Sequence, residues 1–249
     1  MTVFRFGKGD PVVKPEFFAL DNAPRAAFVT FMPPVYRYAL RLAEKRESLG
    51  YVFSGRSSRA WFRGEEVLVT LSNPGSAIAS SMVDVMAVSG VEEIIVVGLA
   101  GSISPAARIG DVLVPSWGLR EEGASYHYVP DPDYVPRPSK VLSERFIAAL
   151  RRRFCGRVLD GGVWSTDAPF RETLDKVVEY SGRGVLGVDM ESTGLMTVAS
   201  VRGVELAVAL VISDELRHDG GWVPGFEDVS VRRGMRACVR AALDVLTRG

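Results

Sequence analysis

Glu93-Ile94-Ile95-Val96-Val97, which runs into Gly98-Leu99-Ala100-Gly101, and Leu206-Ala207-Val208-Ala209-Leu210-Val211-Ile212, which runs into Ser213-Asp214-Glu215, are apolar on successive residues beyond Glu93. A strand with no polar face is covered on both sides, as in parallel sheets flanked by helices. Working outward, Ala26 to Phe31 reads as a short strand stopped by Pro33-Pro34, followed by a helix from Tyr36 to Lys45. Val67 to Leu71 is another strand; after the turn residues 72–76 a helix runs from Ala77 to Val88, with Ile78, Met82, Val85 and Met86 as its inward face. Asp111 to Val114 is a short strand and Tyr128 to Pro138 a long loop. A helix from Ser143 to Arg153 and a strand near Val158 lead to Trp164-Ser165-Thr166-Asp167. Met190 to Arg202 is helical, and Val231 to Leu246 is a closing amphipathic helix. This alternation predicts the α/β class, a three-layer α/β/α arrangement around a mixed central sheet. We expect one domain over 1–249, with 1–25 as an N-terminal extension.

Of 249 residues, 47% are hydrophobic and 24% charged, ordinary globular usage that excludes a disordered chain. Lys plus Arg and Asp plus Glu are equal at 30 each, so no bulk charge draws the chain to nucleic acid or an anionic membrane. Cys155 and Cys238 lack metal-ligand spacing and form no disulfide framework; packing is their expected role. The N-terminus mixes Arg5, Lys8 and Asp10 with glycines rather than forming a signal peptide, and no run reaches the roughly 18 apolar residues of a membrane span. A cytoplasmic location is the expectation.

Ligands of open α/β sheets sit beyond the carboxyl ends of the strands. That rule selects Phe31-Met32-Pro33, residues 72–76, 98–102 and 164–167, and Ser213-Asp214-Glu215. Glycines at such turns allow close backbone approach, and helix starts favour anions, although any α/β fold needs turns of this kind. Asp214, next to an apolar strand, is placed either to act as an acid or to cap a turn. Asp189 and Glu191 flank Met190 before a helix, where carboxylates also suit the helix dipole.

Several motifs then carry a resemblance. Gly187-Val188-Asp189-Met190-Glu191-Ser192 resembles the Met-Glu signature of nucleoside phosphorylases, and Val211-Ile212-Ser213-Asp214 their Ser-Asp strand end. Residues 98–103 followed by Ile109-Gly110-Asp111-Val112-Leu113-Val114 are similar to their central glycine turn and Gly-Asp-Val strand. Arg120-Glu121-Glu122-Gly123-Ala124-Ser125 resembles a loop of the uridine branch, and Ser165-Thr166-Asp167-Ala168-Pro169-Phe170-Arg171 the base-side loop. The resemblance implies phosphate-dependent cleavage of a purine nucleoside to base and ribose 1-phosphate. By the same resemblance Met190 and Glu191 would bind ribose, Asp214 would assist the leaving base, and Phe170 and Asp214 would hold that base. Arg37, Gly75 and Ser76 would hold phosphate. No metal and no cofactor beyond inorganic phosphate as co-substrate are implied; the partners are a nucleoside, phosphate and other copies of the chain in a homo-oligomer, a hexamer by resemblance.

The resemblance thins at the phosphate side. Where hexameric phosphorylases carry a Pro-Gly-Asp-Pro turn this chain has Met32-Pro33-Pro34-Val35-Tyr36-Arg37, and Val96 and Leu99 replace an arginine and a hydroxyl residue. Arg56 or Arg59 from a neighbouring subunit would be a substitute. Uridine phosphorolysis, nucleoside hydrolysis and nucleoside binding without turnover are the alternatives.

Overall fold

The structure, a computed structural model, describes residues 7, 9–52 and 55–247. The start of the expected N-terminal extension, residues 1–6 and Lys8, lies outside the described residues. Toward the end of the extension Leu20 and Ala23 pack against the domain, and the Leu20 N–H donates to Ser89 Oγ at 2.8 Å.

In chain order the elements are β1 (Ala26–Thr30), α1 (Pro33–Arg41), β2 (Lys45–Val52), β3 (Gly55–Phe62), β4 (Glu65–Leu71), α2 (Ser76–Val88), β5 (Glu93–Ser102) and β6 (Val112–Glu121). There follow α3 (Ala124–Tyr128), α4 (Lys140–Arg153), β7 (Val158–Thr166), α5 (Leu174–Gly182), β8 (Val185–Asp189), α6 (Ser192–Arg202), β9 (Glu205–Leu216), β10 (Trp222–Pro224) and α7 (Val229–Leu246). The strands form one ten-stranded sheet in the order β10-β9-β6-β7-β8-β5-β1-β4-β3-β2. An additional β9–β5 pairing closes β5, β9, β6, β7 and β8 into a ring, a closure that periodicity alone does not predict.

The two apolar runs behave as read. On β5, Ile95 and Val97 face a core built with α1, α4 and α7, while Ile94 and Val96 face a second core built with α2 and α6. Both sides of the strand are therefore buried, at about 1.5–3 kcal/mol for each such side chain. The β9 run divides in the same way, Ala209 and Val211 to the first core and Val208 and Ile212 to the second. Cys238 is fully buried among the first core, whereas Cys155 is exposed in the turn after α4 and does not pack.

Several elements differ from expectation, among them β6, which continues to Glu121 and so takes in Arg120, rather than ending at Val114. α1 begins at Pro33, since proline fits a helix's first turn, and ends at Arg41 because Lys45 already opens β2. The β2–β3 hairpin went unread because the outer strand β2 is polar and exposed along most of its length. α6 starts at Ser192, with Glu191 as its cap residue. β9 continues to Leu216 because β10 pairs antiparallel with its tail, Trp222 opposite Leu216 and Pro224 opposite Asp214. Asp214 thus stands inside a strand.

Candidate active site

The ends of β5, β8 and β9 meet the segments after β1, β4 and β7 around a cavity of about 710 Å³. Leu99, Ala100 and Gly101 form part of its wall, with Phe31 and Met32 from the β1 end.

Asp214 reaches this cavity through an irregularity in the sheet. The β5–β9 register slips between Ala100 and Gly101, so Ala100 faces Ile212 and Gly101 faces Asp214. A Cβ on Gly101 would lie 2.7 Å from Leu216 Cδ1 and 3.1 Å from Asp214 Oδ2; glycine is what lets the acid lie across β5. The Ser213 hydroxyl donates to Asp214 Oδ1 at 2.7 Å and the Trp222 indole N–H donates to Oδ2 at 2.9 Å. The carboxyl is thereby held in one orientation by neighbours on two strands.

The cavity is also lined by Asp189, Met190 and Glu191, at the junction of β8 and α6. Asp189 is buried and accepts from Ser165 Oγ at 2.5 Å, Ser192 Oγ at 2.5 Å and the Ser192 N–H at 3.0 Å. Those donors offset part of the burial that raises its pKa. Glu191 is also buried and accepts the Gly75 N–H at 2.6 Å on Oε1. Burial, then the neighbouring Asp189, pushes Glu191 well above the usual carboxylate range.

The third side is a short 3-10 turn, Pro169–Arg171. Phe170 stands at the mouth with its side chain fully exposed, an apolar ring open to a ligand. Glu172, just beyond, also lines the cavity, and no protein group within the described residues donates to its carboxyl. Burial and then the charge of Asp214 push Glu172 up to about 7. An acid that exchanges its proton near neutral pH therefore lines the same cavity as Asp214 and feels its charge.

A family model described as the phosphorylase superfamily matches residues 25–246. The chain belongs to that superfamily. It is 29% identical over 157 residues to DeoD-type purine nucleoside phosphorylases of Bacillus cereus and Bacillus thuringiensis, a match spanning 62% of this chain and 66% of each relative, just under two thirds. Among solved structures, uridine phosphorylase from Vibrio fischeri ES114 superposes with a TM-score of 0.82 at 21% identity, covering 96% of this chain and 99% of that one. Purine nucleoside phosphorylase from Toxoplasma gondii, in complex with immucillin-H, gives 0.81 at 19%, covering 91% and 92%. At such identities the structures establish the shared fold.

Within this superfamily member, the residues expected to hold ribose and base converge: Met190, Glu191, Phe170 and Asp214 all line the one cavity. The residues expected to hold phosphate, Arg37, Gly75 and Ser76, are not part of that wall. Arg37 is exposed on α1, whose Val35, Tyr36 and Ala39 are the residues turned into the core. The Gly75 N–H is already given to Glu191, and the Ser76 hydroxyl is buried and donates to Glu122 at 2.9 Å. Arg59 donates to the Asn22 carbonyl at 2.6 Å and faces Glu66, whereas Arg56 is exposed on β3. The cation that does line the cavity is Arg217, in the turn after β9.

The uridine-like loop has a supporting role. Arg120 is buried, donates to the Val129 and Asp131 carbonyls, and lies 3.8 Å from the Tyr126 ring centroid, which fixes the long loop. Asp167 accepts the Gly123 N–H at 2.7 Å. Sequence reasoning missed Glu172, Trp222 and Arg217 as cavity residues. The signal for Glu172 lay in its place directly after Phe170-Arg171; for Trp222 it was a large aromatic beside Gly220-Gly221, in a segment too short and polar to read as a strand.

Proposed function

We propose that the chain cleaves the N-glycosidic bond of a purine nucleoside, with inorganic phosphate as acceptor, giving the free base and ribose 1-phosphate. The observation that carries this reading is the convergence on one cavity of Asp214 and Glu172 with Met190 and Glu191. The printed activities of the DeoD-type relatives support phosphate as the acceptor.

Breaking the C1′–N9 bond leaves positive charge on the ribose and electrons on the base. Glu191 accepts hydrogen bonds from the ribose 2′- and 3′-hydroxyls, Met190 packs on the sugar, and phosphate adds to C1′ from the face opposite the base. With Glu172 titrating near 7, the Asp214–Glu172 pair holds a proton at neutral pH and delivers it to N7 as the bond breaks. The proton released when hydrogen phosphate becomes the sugar ester balances it. A purine fits because N7 accepts that proton while the remaining carboxylate accepts from a ring or exocyclic N–H; uracil has an N–H but no ring nitrogen with a free lone pair to take the proton. Phe170 closes over the base.

Water as the acceptor is the second reading, favoured by the engagement of Gly75 and Ser76 elsewhere and by the apolar Leu99 in the cavity wall. Base release from inosine, adenosine, guanosine and uridine, each with and without phosphate, separates the readings. Phosphate-dependent release from the purine nucleosides, with ribose 1-phosphate as product, is expected. Free ribose without phosphate would replace phosphorolysis by hydrolysis, release from uridine alone would overturn the purine assignment, and no release from any of them would overturn cleavage.

A further inference from the structure

Between α1 and α7, at a place sharing no residue with the active-site cavity, the half-buried Tyr38 is ringed by arginines. The guanidinium carbons of Arg41, Arg236 and Arg240 lie 5.9, 5.7 and 5.9 Å from its ring centroid. Arg240 Nε also donates to the Tyr38 hydroxyl at 2.8 Å. Beside them is a cavity of about 790 Å³ to which Tyr38, Arg153, Arg233, Arg236 and Arg240 all contribute.

Of the arginines lining this cavity only Arg153 is paired with a carboxylate among the described residues, and the one lining acid, Asp111, is already engaged. Asp244 is engaged by Arg63 and Arg153, and Asp111 by Arg157. Among the described residues, Arg41, Arg233, Arg236 and Arg240 form no ion pair with a carboxylate. Arg232 and Arg233 stand near the N-terminal end of α7, where the helix dipole disfavours cations. Arg233, Arg236 and Arg240 also share one helix face at spacings that bring like charges together. The fold tolerates this crowding at a cost, and Tyr38 holds the guanidinium groups in position through its ring and hydroxyl.

We propose that this cleft binds a small anion bearing two or more linked phosphate groups, at a site separate from the active-site cavity. Guanidinium forks match phosphate oxygens in pairs, and several forks converging on one cavity suit linked phosphates better than a single one. The volume falls within the range of small-ligand sites. The balanced charge of the whole chain, 30 against 30, and the gathering of arginines around one cavity favour a compact anion over a nucleic-acid backbone.

The test is titration of the full chain with inorganic tripolyphosphate by calorimetry at low salt, with the active site saturated by nucleoside. Binding by the unaltered protein is expected, weakening about tenfold or more in Arg236→Ser/Arg240→Ser and by less in Arg236→Lys/Arg240→Lys, which keeps the charge but loses the fork. Nucleoside affinity is expected to stay the same in both variants. Equal tripolyphosphate affinity in all three proteins, no binding to the unaltered protein, or binding of a single-stranded oligonucleotide without tripolyphosphate binding would each overturn the proposal.

Discussion

Glu122 and Glu172 are acids of the same chain with opposite surroundings. Glu122 is 1% exposed and receives the Ser76 hydroxyl at 2.9 Å, the Thr193 hydroxyl at 3.0 Å and the Ser125 N–H at 3.0 Å. It ties α2, α3 and α6 together and is absent from the cavity wall. Glu172 lines the cavity, receives no donor within the described residues, and faces the charge of Asp214. A buried carboxylate whose acceptor positions are filled by its own protein stabilises a fold; one left open toward a cavity keeps its proton near neutrality and is available to a ligand.

Substitution would sharpen or break this contrast. The largest effect is expected from Asp214→Ala, a fall in kcat on purine nucleosides of about 10²–10⁴-fold. Its loss of melting temperature should be smaller than that of Glu122→Ala, because the Ser213 hydroxyl keeps the Ala100 carbonyl as acceptor and Trp222 is exposed to water. Turnover within a few-fold of the unaltered enzyme would remove Asp214 from the chemistry. Glu122→Ala should do the reverse. It strands three donors at about 1–3 kcal/mol each, so a loss of at least about 3 kcal/mol is expected. At roughly 2–4 °C per kcal/mol, calorimetry should find Tm lowered by about 6–12 °C while kcat is retained below the transition. A lost kcat in a protein with unchanged Tm would place Glu122 in the machinery instead.

Glu172→Gln should have the smallest effect and the most telling shape. Because burial and Asp214 raise Glu172 to about 7, its proton is present below that pH and lost above it. The kcat/KM of the unaltered enzyme should therefore fall as pH rises through about 7. The glutamine variant should be about tenfold slower at pH 6 and lack that limb in the neutral range. An identical pH profile in the two proteins would mean that Glu172 carries no proton used in the reaction.

Much of this architecture was legible in β5 and β9, since unbroken apolar runs have one physical explanation, burial on both faces. Ser213-Asp214 was legible because it prolongs the apolar run of β9, whereas Met190-Glu191 was marked by the resemblance alone, since β8 ahead of it went unread. Elements at the edge were not. β2 is exposed, so no periodic burial marks its sequence, and α5 joins the core mainly through Val177. Glu172 was passed over because its importance comes from Asp214, 42 positions later, and such proximity is a property of the folded chain. Arg37 lies outside the cavity wall of this chain, and spacing along the sequence says nothing of that placement.

The closure of β5, β9, β6, β7 and β8 on one another divides labour within the molecule. Asp214 is anchored in that ring, whereas Arg217, Gly220 and Gly221 belong to the turn between β9 and β10 and line the same cavity without belonging to the ring. Lengthening or replacing the turn can therefore remodel what the pocket admits while the acid keeps its address, and that makes residues 217–221 the natural place for diversification, by selection or in the laboratory, of a site whose chemistry stays the same.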